Sequence, residues 1–165
     1  MNPRIFLFIT GFIAIASVAL SSQAKSGDAQ DFVRKAGIGN EFEIESSKLA
    51  LDKTQSSNVR NLAKQMIDDH TKAGKDLEST LKSSDSGAKP PKGLDAKHSE
   101  MMNALHDATG SNFDEQFIRM QKQAHAEAVA LFDDYYNNGS DVALKNFAGR
   151  TLPTLRQHQE HVQQF

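Results

Sequence analysis

Apolar side chains in this chain recur at intervals of three and four residues and nowhere alternate one by one, which restricts the fold more than any other feature. Such intervals place side chains on one face of an α-helix, whereas a half-buried strand needs a period of two. The pattern predicts an all-α chain with long helices over 28–52, 57–82 and 112–137, and a last one starting at Ser140 or Asp141. Pro153 should kink this last helix or split it in two.

Residues 83–93 separate the second helix from the third, and seven of these eleven residues are Ser, Gly or Pro. Such a stretch forms neither helix nor strand, and a short helix is predicted after it, over 94–108. Tight turns at 53–56 and 138–140 should make antiparallel neighbours of the helices that they join. The 29 residues 83–111 can run the full length of the bundle. We therefore expect a ferritin-like four-helix bundle of two hairpins, joined by a long crossover that carries the short extra helix.

The helix starts are predicted from residues whose side chains accept hydrogen bonds from free backbone N–H groups. Ser56 or Ser57 is expected to cap the second helix. Ser111, with the acid Asp114 three residues later, is expected to cap the third.

The first 24 residues have the order of a secretory signal peptide. Arg4 supplies a positive charge, Ile5–Leu20 carries none, and Ser22-Gln23-Ala24 places small residues before a cleavage site. We expect cleavage after Ala24, which leaves residues 25–165 as one helical domain in the periplasm or outside the cell. The alternative is an uncleaved anchor, but the apolar run is shorter than the roughly 20 residues of a spanning helix. No stable membrane insertion is expected after cleavage.

The composition excludes several classes of function. With 19 basic and 21 acidic residues, the chain lacks the positive surface that nucleic-acid binding requires. It has no cysteine, so it has no disulfide, no thiolate ligand and no lipid-attachment site. No nucleophilic serine motif or glycine-rich phosphate loop is present. A hydrolase or a nucleotide-dependent enzyme is therefore not expected.

On each long helix the apolar residues form a stripe along one face, and one position in each stripe is occupied by a polar residue instead. These residues are Glu43, His70, His125 and His158. Burying such groups is costly unless each finds a partner, so we expect the four to need each other, water or a metal. With a rise of about 1.5 Å per residue and a crossover topology, all four fall within about 10 Å of one level in the bundle.

The chain resembles a family of exported bacterial proteins of unknown function with a ferritin-like fold, often labelled putative outer-membrane proteins. The resemblance covers about 31–163. It rests on Glu43-Ile-Glu-Ser-Ser-Lys-Leu-Ala50, Val59-Arg-Asn-Leu-Ala63, Met66-Ile-Asp-Asp-His70, Phe113-Asp114, Gln123-x-His125 and Leu152-Pro-x-Leu155-x-x-His158. It implies the fold and export, and no settled activity.

The chain departs from di-iron ferritins, which use Glu-x-x-His on two of their helices. The residues three positions before the histidines are Ile67, Lys122 and Leu155. A di-iron site is therefore not expected. A site of three histidines and Glu43 for one zinc, iron, copper or manganese ion is chemically sensible. Asp69 and Asp114 could hold the imidazole tautomers from a second shell.

The sequence leaves other functions open. The histidines could form a buried polar cluster that only specifies helix register, in a non-catalytic envelope or stress-associated module with an envelope protein partner. An enzyme ranks third, because a redox reaction would need an open position on the metal.

Overall fold

A computed structural model of the chain describes the backbone of residues 16–165 and the side chains of residues 28–165. It contains five α-helices: α1 (Ala16–Lys53), α2 (Ser57–Ser83), α3 (Ala96–Asp107), α4 (Gly110–Asn138) and α5 (Val142–Val162). The described part of the chain has no strand, so the all-α prediction is confirmed. Of the predicted signal peptide, residues 1–15 lie outside the described residues, and the helix α1 begins at Ala16.

Side-chain caps fix where the helices begin. The Ser56 hydroxyl accepts a hydrogen bond from the Val59 N–H at 3.4 Å, and the Asp141 carboxylate accepts one from the Leu144 N–H at 2.9 Å. Both caps agree with the sequence. The cap predicted at Ser111 is wrong, because α4 already begins at Gly110. With a φ of 57°, Gly110 turns the chain into the helix in a conformation that favours glycine.

The four long helices pack as two antiparallel hairpins, α1 with α2 and α4 with α5. Helix α1 also packs against α4, and α2 against α5. Phe32 on α1 stacks on Tyr135 near the end of α4, with ring centroids 4.0 Å apart. Ser46, which is farther along α1, contacts Gln121, which is earlier on α4. Helices α1 and α4 are therefore antiparallel, so α5 runs in the same direction as α1 and lies diagonally opposite to it.

This arrangement obliges residues 84–109 to return along the bundle, and two contacts hold them against α1. A Cβ on Gly37 would lie 2.6 Å from Pro91 Cδ, so only glycine allows the loop to approach the helix this closely. At the other end, the Lys53 ammonium donates to the carbonyls of Leu105, at 3.2 Å, and Ala108, at 2.9 Å. It also donates to the carbonyl of His106. These carbonyls end α3, where a cation is favourable.

The core consists of two apolar clusters at different levels of the bundle. One is built around Phe42, Leu62, Met66, Phe113 and Phe117. The other is built around Phe32, Leu77, Tyr135, Leu144 and Phe147. A buried polar layer with Glu43 and the three stripe histidines lies between them.

Helix α5 passes through Pro153 without a break, so the predicted split of this helix is wrong. Pro153 lies on the exposed side of α5, where water can satisfy the carbonyl that loses its N–H partner. None of the helices in the described part of the chain is both long and apolar enough to cross a membrane.

Candidate metal centre

Three histidines from three different helices meet in the polar layer. His70 on α2 is 6% exposed, and His125 on α4 and His158 on α5 are each 1% exposed. Their ring centroids are 5.3 to 5.6 Å apart. One ring nitrogen from each histidine can be chosen so that all three nitrogens lie within 4.8 Å of one another. The predicted convergence of these three residues is therefore present.

One nitrogen of each ring is hydrogen-bonded to an acceptor. His70 Nδ1 lies 3.2 Å from Asn40 Oδ1, and His125 Nδ1 lies 2.9 Å from the backbone carbonyl of Gln121. His158 Nε2 lies 2.9 Å from Asp69 Oδ2. A carbonyl or carboxylate oxygen can only accept, so these bonds place the ring proton on that nitrogen in each neutral histidine.

The opposite nitrogen of each ring is buried and has no hydrogen-bond partner. These atoms are His70 Nε2, His125 Nε2 and His158 Nδ1. In the tautomers set by the acceptors, each of them carries a lone pair. An unsatisfied buried polar atom costs about 1–3 kcal/mol, so three in one layer form a set that calls for a ligand.

Burial keeps two of these imidazoles neutral. It lowers the pKa of His70 well below its usual value of 6.5, and the nearby His125 and His158 lower it further. Burial also lowers the pKa of His158, although the hydrogen bond to Asp69 acts against this shift. Neutral imidazole is the form that binds a metal ion, so the protein environment favours the ligating form.

Glu43 lies beside the histidines but is not a member of their nitrogen cluster. Its Oε1 is 3.9 Å from His125 Nδ1, the nitrogen that already bonds to Gln121. The residue is 4% exposed. Burial raises its pKa, and both His125 and a hydrogen bond with the Gln121 side chain act in the opposite direction. Of the four predicted ligands, the structure brings the three histidines together and places the Glu43 carboxyl group beside them.

The two predicted second-shell acids have different positions. Asp69 bonds to His158, as a second-shell acceptor should. Asp114 precedes His125 by three helical turns, or about 16 Å along α4, and so cannot reach its ring. One of its oxygens is buried without a hydrogen-bond partner at the other end of the helix.

The family described as a domain of unknown function, DUF4142, matches residues 15–165. The chain belongs to this family. The match agrees with the predicted membership in a family of unknown function. No curated protein matches the chain.

Two solved structures share the helical fold of this DUF4142 domain. One is a DUF305 fragment from Deinococcus radiodurans, with 18% identity and a TM-score of 0.69. The other is CopM in its Cu(II)-bound form, with 21% identity and a TM-score of 0.66. Each alignment covers 82% of this chain and 93% of the other. At these identities the likeness shows the fold alone.

The sequence did not reveal the residues that hold two of the rings. Asn40, the partner of His70, lies one turn before Glu43 on α1. Gly74 on α2 leaves room for it, because a Cβ there would lie 3.1 Å from the Asn40 amide nitrogen. Gln121 is fully buried and donates from its side chain to the Ser46 hydroxyl at 3.3 Å. Because the acceptor for His125 is the backbone carbonyl of Gln121, the side chain at this position gave no signal of the contact.

Proposed function

We propose that this protein binds one transition-metal ion through one ring nitrogen each of His70, His125 and His158. The observation that carries the proposal is that the two nitrogens of each ring have different surroundings. One nitrogen bonds to a protein acceptor and the other is buried without a partner. Histidines that ligate metals bond to a protein acceptor through their other nitrogen in the same way.

The spacing of the nitrogens supports a single ion. Three points within 4.8 Å of one another fit around a centre that is at most about 2.8 Å from each. Metal–imidazole bonds are about 2.0–2.1 Å long, so each nitrogen would move inward by less than about 1 Å. Side-chain rotation can supply a movement of this size.

The donor set favours zinc, copper or iron over manganese, because imidazole suits the first three and manganese prefers oxygen ligands. The fold shared with CopM, which is known in a Cu(II)-bound form, adds support for copper among these. Three neutral imidazoles leave the ion's charge uncompensated. Asp69 behind His158 and Glu43 beside His125 are placed to balance it.

The protein is further proposed to be an exported, ferritin-like bundle. The packing of two hairpins with α5 diagonal to α1, and the long return of residues 84–109, support this class of fold. The proposal of export to the periplasm or the medium rests on the signal-like order of residues 1–24. N-terminal sequencing of protein recovered from the periplasm should begin at Lys25. Recovery of the intact chain in the cytoplasm would contradict export.

Metal analysis of the mature protein, made without a chelator or a His-tag, tests the metal site. We expect about one equivalent of metal per chain in the wild type and almost none after His70→Ala or His125→Ala. His106→Ala is the matched control, because His106 is exposed on α3 and should not affect retention. Wild-type protein that holds no metal, and whose melting temperature does not change with zinc, copper or iron, would contradict the proposal. The polar layer would then serve only helix register, in a module with an envelope partner.

A further inference from the structure

A cavity of about 550 Å³ opens beside the three histidines. All four long helices and the returning segment line it, and the buried residues His70, His125 and Glu43 are part of this lining. Its volume is within the range of sites for small organic molecules. Two of the three histidines of the candidate metal centre therefore line this cavity.

The wall of the cavity is mainly apolar. Its apolar side chains include Ile38, Leu77, Leu131, Phe132, Pro91 and Phe147. Gly39, one turn before Glu43 on α1, contributes no side chain, and a Cβ placed there would meet nothing within 4 Å. A glycine inside a helix lowers its stability by about 1 kcal/mol relative to alanine, and here it leaves space in the cavity.

The charges around the cavity do not favour an anionic ligand. Arg34 and Lys35 bind Asp31 at 2.7 and 2.6 Å, and Lys97 binds Glu127 at 2.5 Å. These are all the cations that line the cavity in the described part of the chain, and each already has a carboxylate partner. The buried Glu43 adds a carboxyl group to the lining of the cavity.

We propose that the cavity receives a neutral aromatic nitrogen heterocycle. Its unprotonated nitrogen would coordinate the metal at a position that the three histidines leave free. Its aromatic body would occupy the apolar wall, and an N–H group would have Glu43 as an acceptor. This inference rests on the proposed metal site.

The test compares ligands on mature protein loaded with Cu(II), followed by the visible absorption of the metal. The probes are imidazole, 4-phenylimidazole and azide. We expect 4-phenylimidazole to bind at least tenfold more tightly than imidazole, because its phenyl ring is buried in the cavity, and azide to bind more weakly than either. Gly39→Phe should weaken 4-phenylimidazole binding at least tenfold without changing the copper content. Gly39→Ala, the matched control for removing the glycine, should bind within twofold of wild type.

Equal affinity for imidazole and 4-phenylimidazole would overturn the inference, and so would a preference for azide. These comparisons use the wild type and therefore do not depend on whether Gly39→Phe folds. Unchanged binding in a folded Gly39→Phe protein that keeps its copper would also overturn it. Wild-type protein that fails to retain copper would instead remove the metal site, and this inference with it.

Discussion

Replacing His70 with leucine separates the effect of this buried polar residue on stability from its proposed role in metal binding. In the metal-free protein His70 has one hydrogen bond, to Asn40 on α1, and one buried nitrogen without a partner. Leucine has a similar size, removes both polar nitrogens and adds apolar contact between the two core clusters. The substitution should therefore abolish metal binding without destabilising the apo protein.

The size of the effect follows from these contacts. Removing a buried unsatisfied nitrogen relieves about 1–3 kcal/mol, and losing the bond to Asn40 costs about 1 kcal/mol. Asn40 is half-buried, so water can replace the lost partner. The net change in the free energy of unfolding is about 0 to +2 kcal/mol. At roughly 3 °C per kcal/mol for a domain of this size, the melting temperature should rise by up to about 6 °C.

Thermal unfolding followed by circular dichroism, with a chelator and then with excess metal, measures both effects. A free metal concentration 100 times the dissociation constant stabilises a protein by about 2.7 kcal/mol, so the wild type should melt about 8 °C higher with metal. His70→Leu should show no such rise, whereas His106→Leu, at an exposed position, should behave like the wild type. An apo His70→Leu protein destabilised by more than about 3 kcal/mol would refute the reasoning, because it would mean that both ring nitrogens are already satisfied. An undiminished metal response would show that His70 is not a ligand.

Three further predictions concern the surroundings of the site. Asp69→Ala should weaken metal binding about 10- to 100-fold by calorimetry, because His158 loses the acceptor that orients it, and unchanged affinity would argue against that role. The pKa of His70 is lowered in the folded state, so below pH 6.5 the unfolded chain binds a proton that the folded chain does not, and stability falls as the pH falls. Melting curves at pH 7.5 and 5.5 should therefore show a smaller loss for apo His70→Leu than for wild type, and equal losses would contradict the shift. Lys53→Met should lower the free energy of unfolding by about 1–3 kcal/mol, because the Leu105 and Ala108 carbonyls lose the ammonium group that donates to them. Amide hydrogen exchange in α3 should become faster, and unaltered exchange would contradict the role of Lys53 in holding α3 against α1.

The sequence predicted the helices because the driving pattern is local. The stripe of α2 from Val59 to Leu77 has helical spacing throughout, and the caps at Ser56 and Asp141 follow from short-range chemistry. At Gly110 the same reasoning failed, since a glycine with positive φ starts α4 before the expected cap at Ser111. For Pro153 the sequence left a kink or a split of α5 open, and the helix is not split; the outcome depends on whether the residue faces water, which sequence spacing does not specify.

For the candidate site, the sequence predicted which helix faces the histidines occupy, but not how their rings are oriented. Spacing placed His70, His125 and His158 on buried stripes, and the crossover brought them to one level. It could not determine which ring nitrogen faces inward, because that depends on acceptors such as Asn40, 30 residues away in the chain. Glu43 shares the face, but its Oε1 lies 3.9 Å from His125 Nδ1, and the rotamers of both side chains decide such distances.

The number of histidine nitrogens without a protein partner determines how many metal ions the polar layer can bind. Each histidine uses one nitrogen for a protein acceptor, so the three rings together offer three lone pairs. A second metal ion would need bridging carboxylates, and the positions one turn before the histidines carry Ile67, Lys122 and Leu155 instead. Among the described residues, Glu43 carries the one deeply buried carboxyl group, and it lies outside the nitrogen cluster. The layer therefore has the donors for the one ion that we propose, and two of these donors, His70 and His125, also line the cavity that we propose as the site of a further ligand.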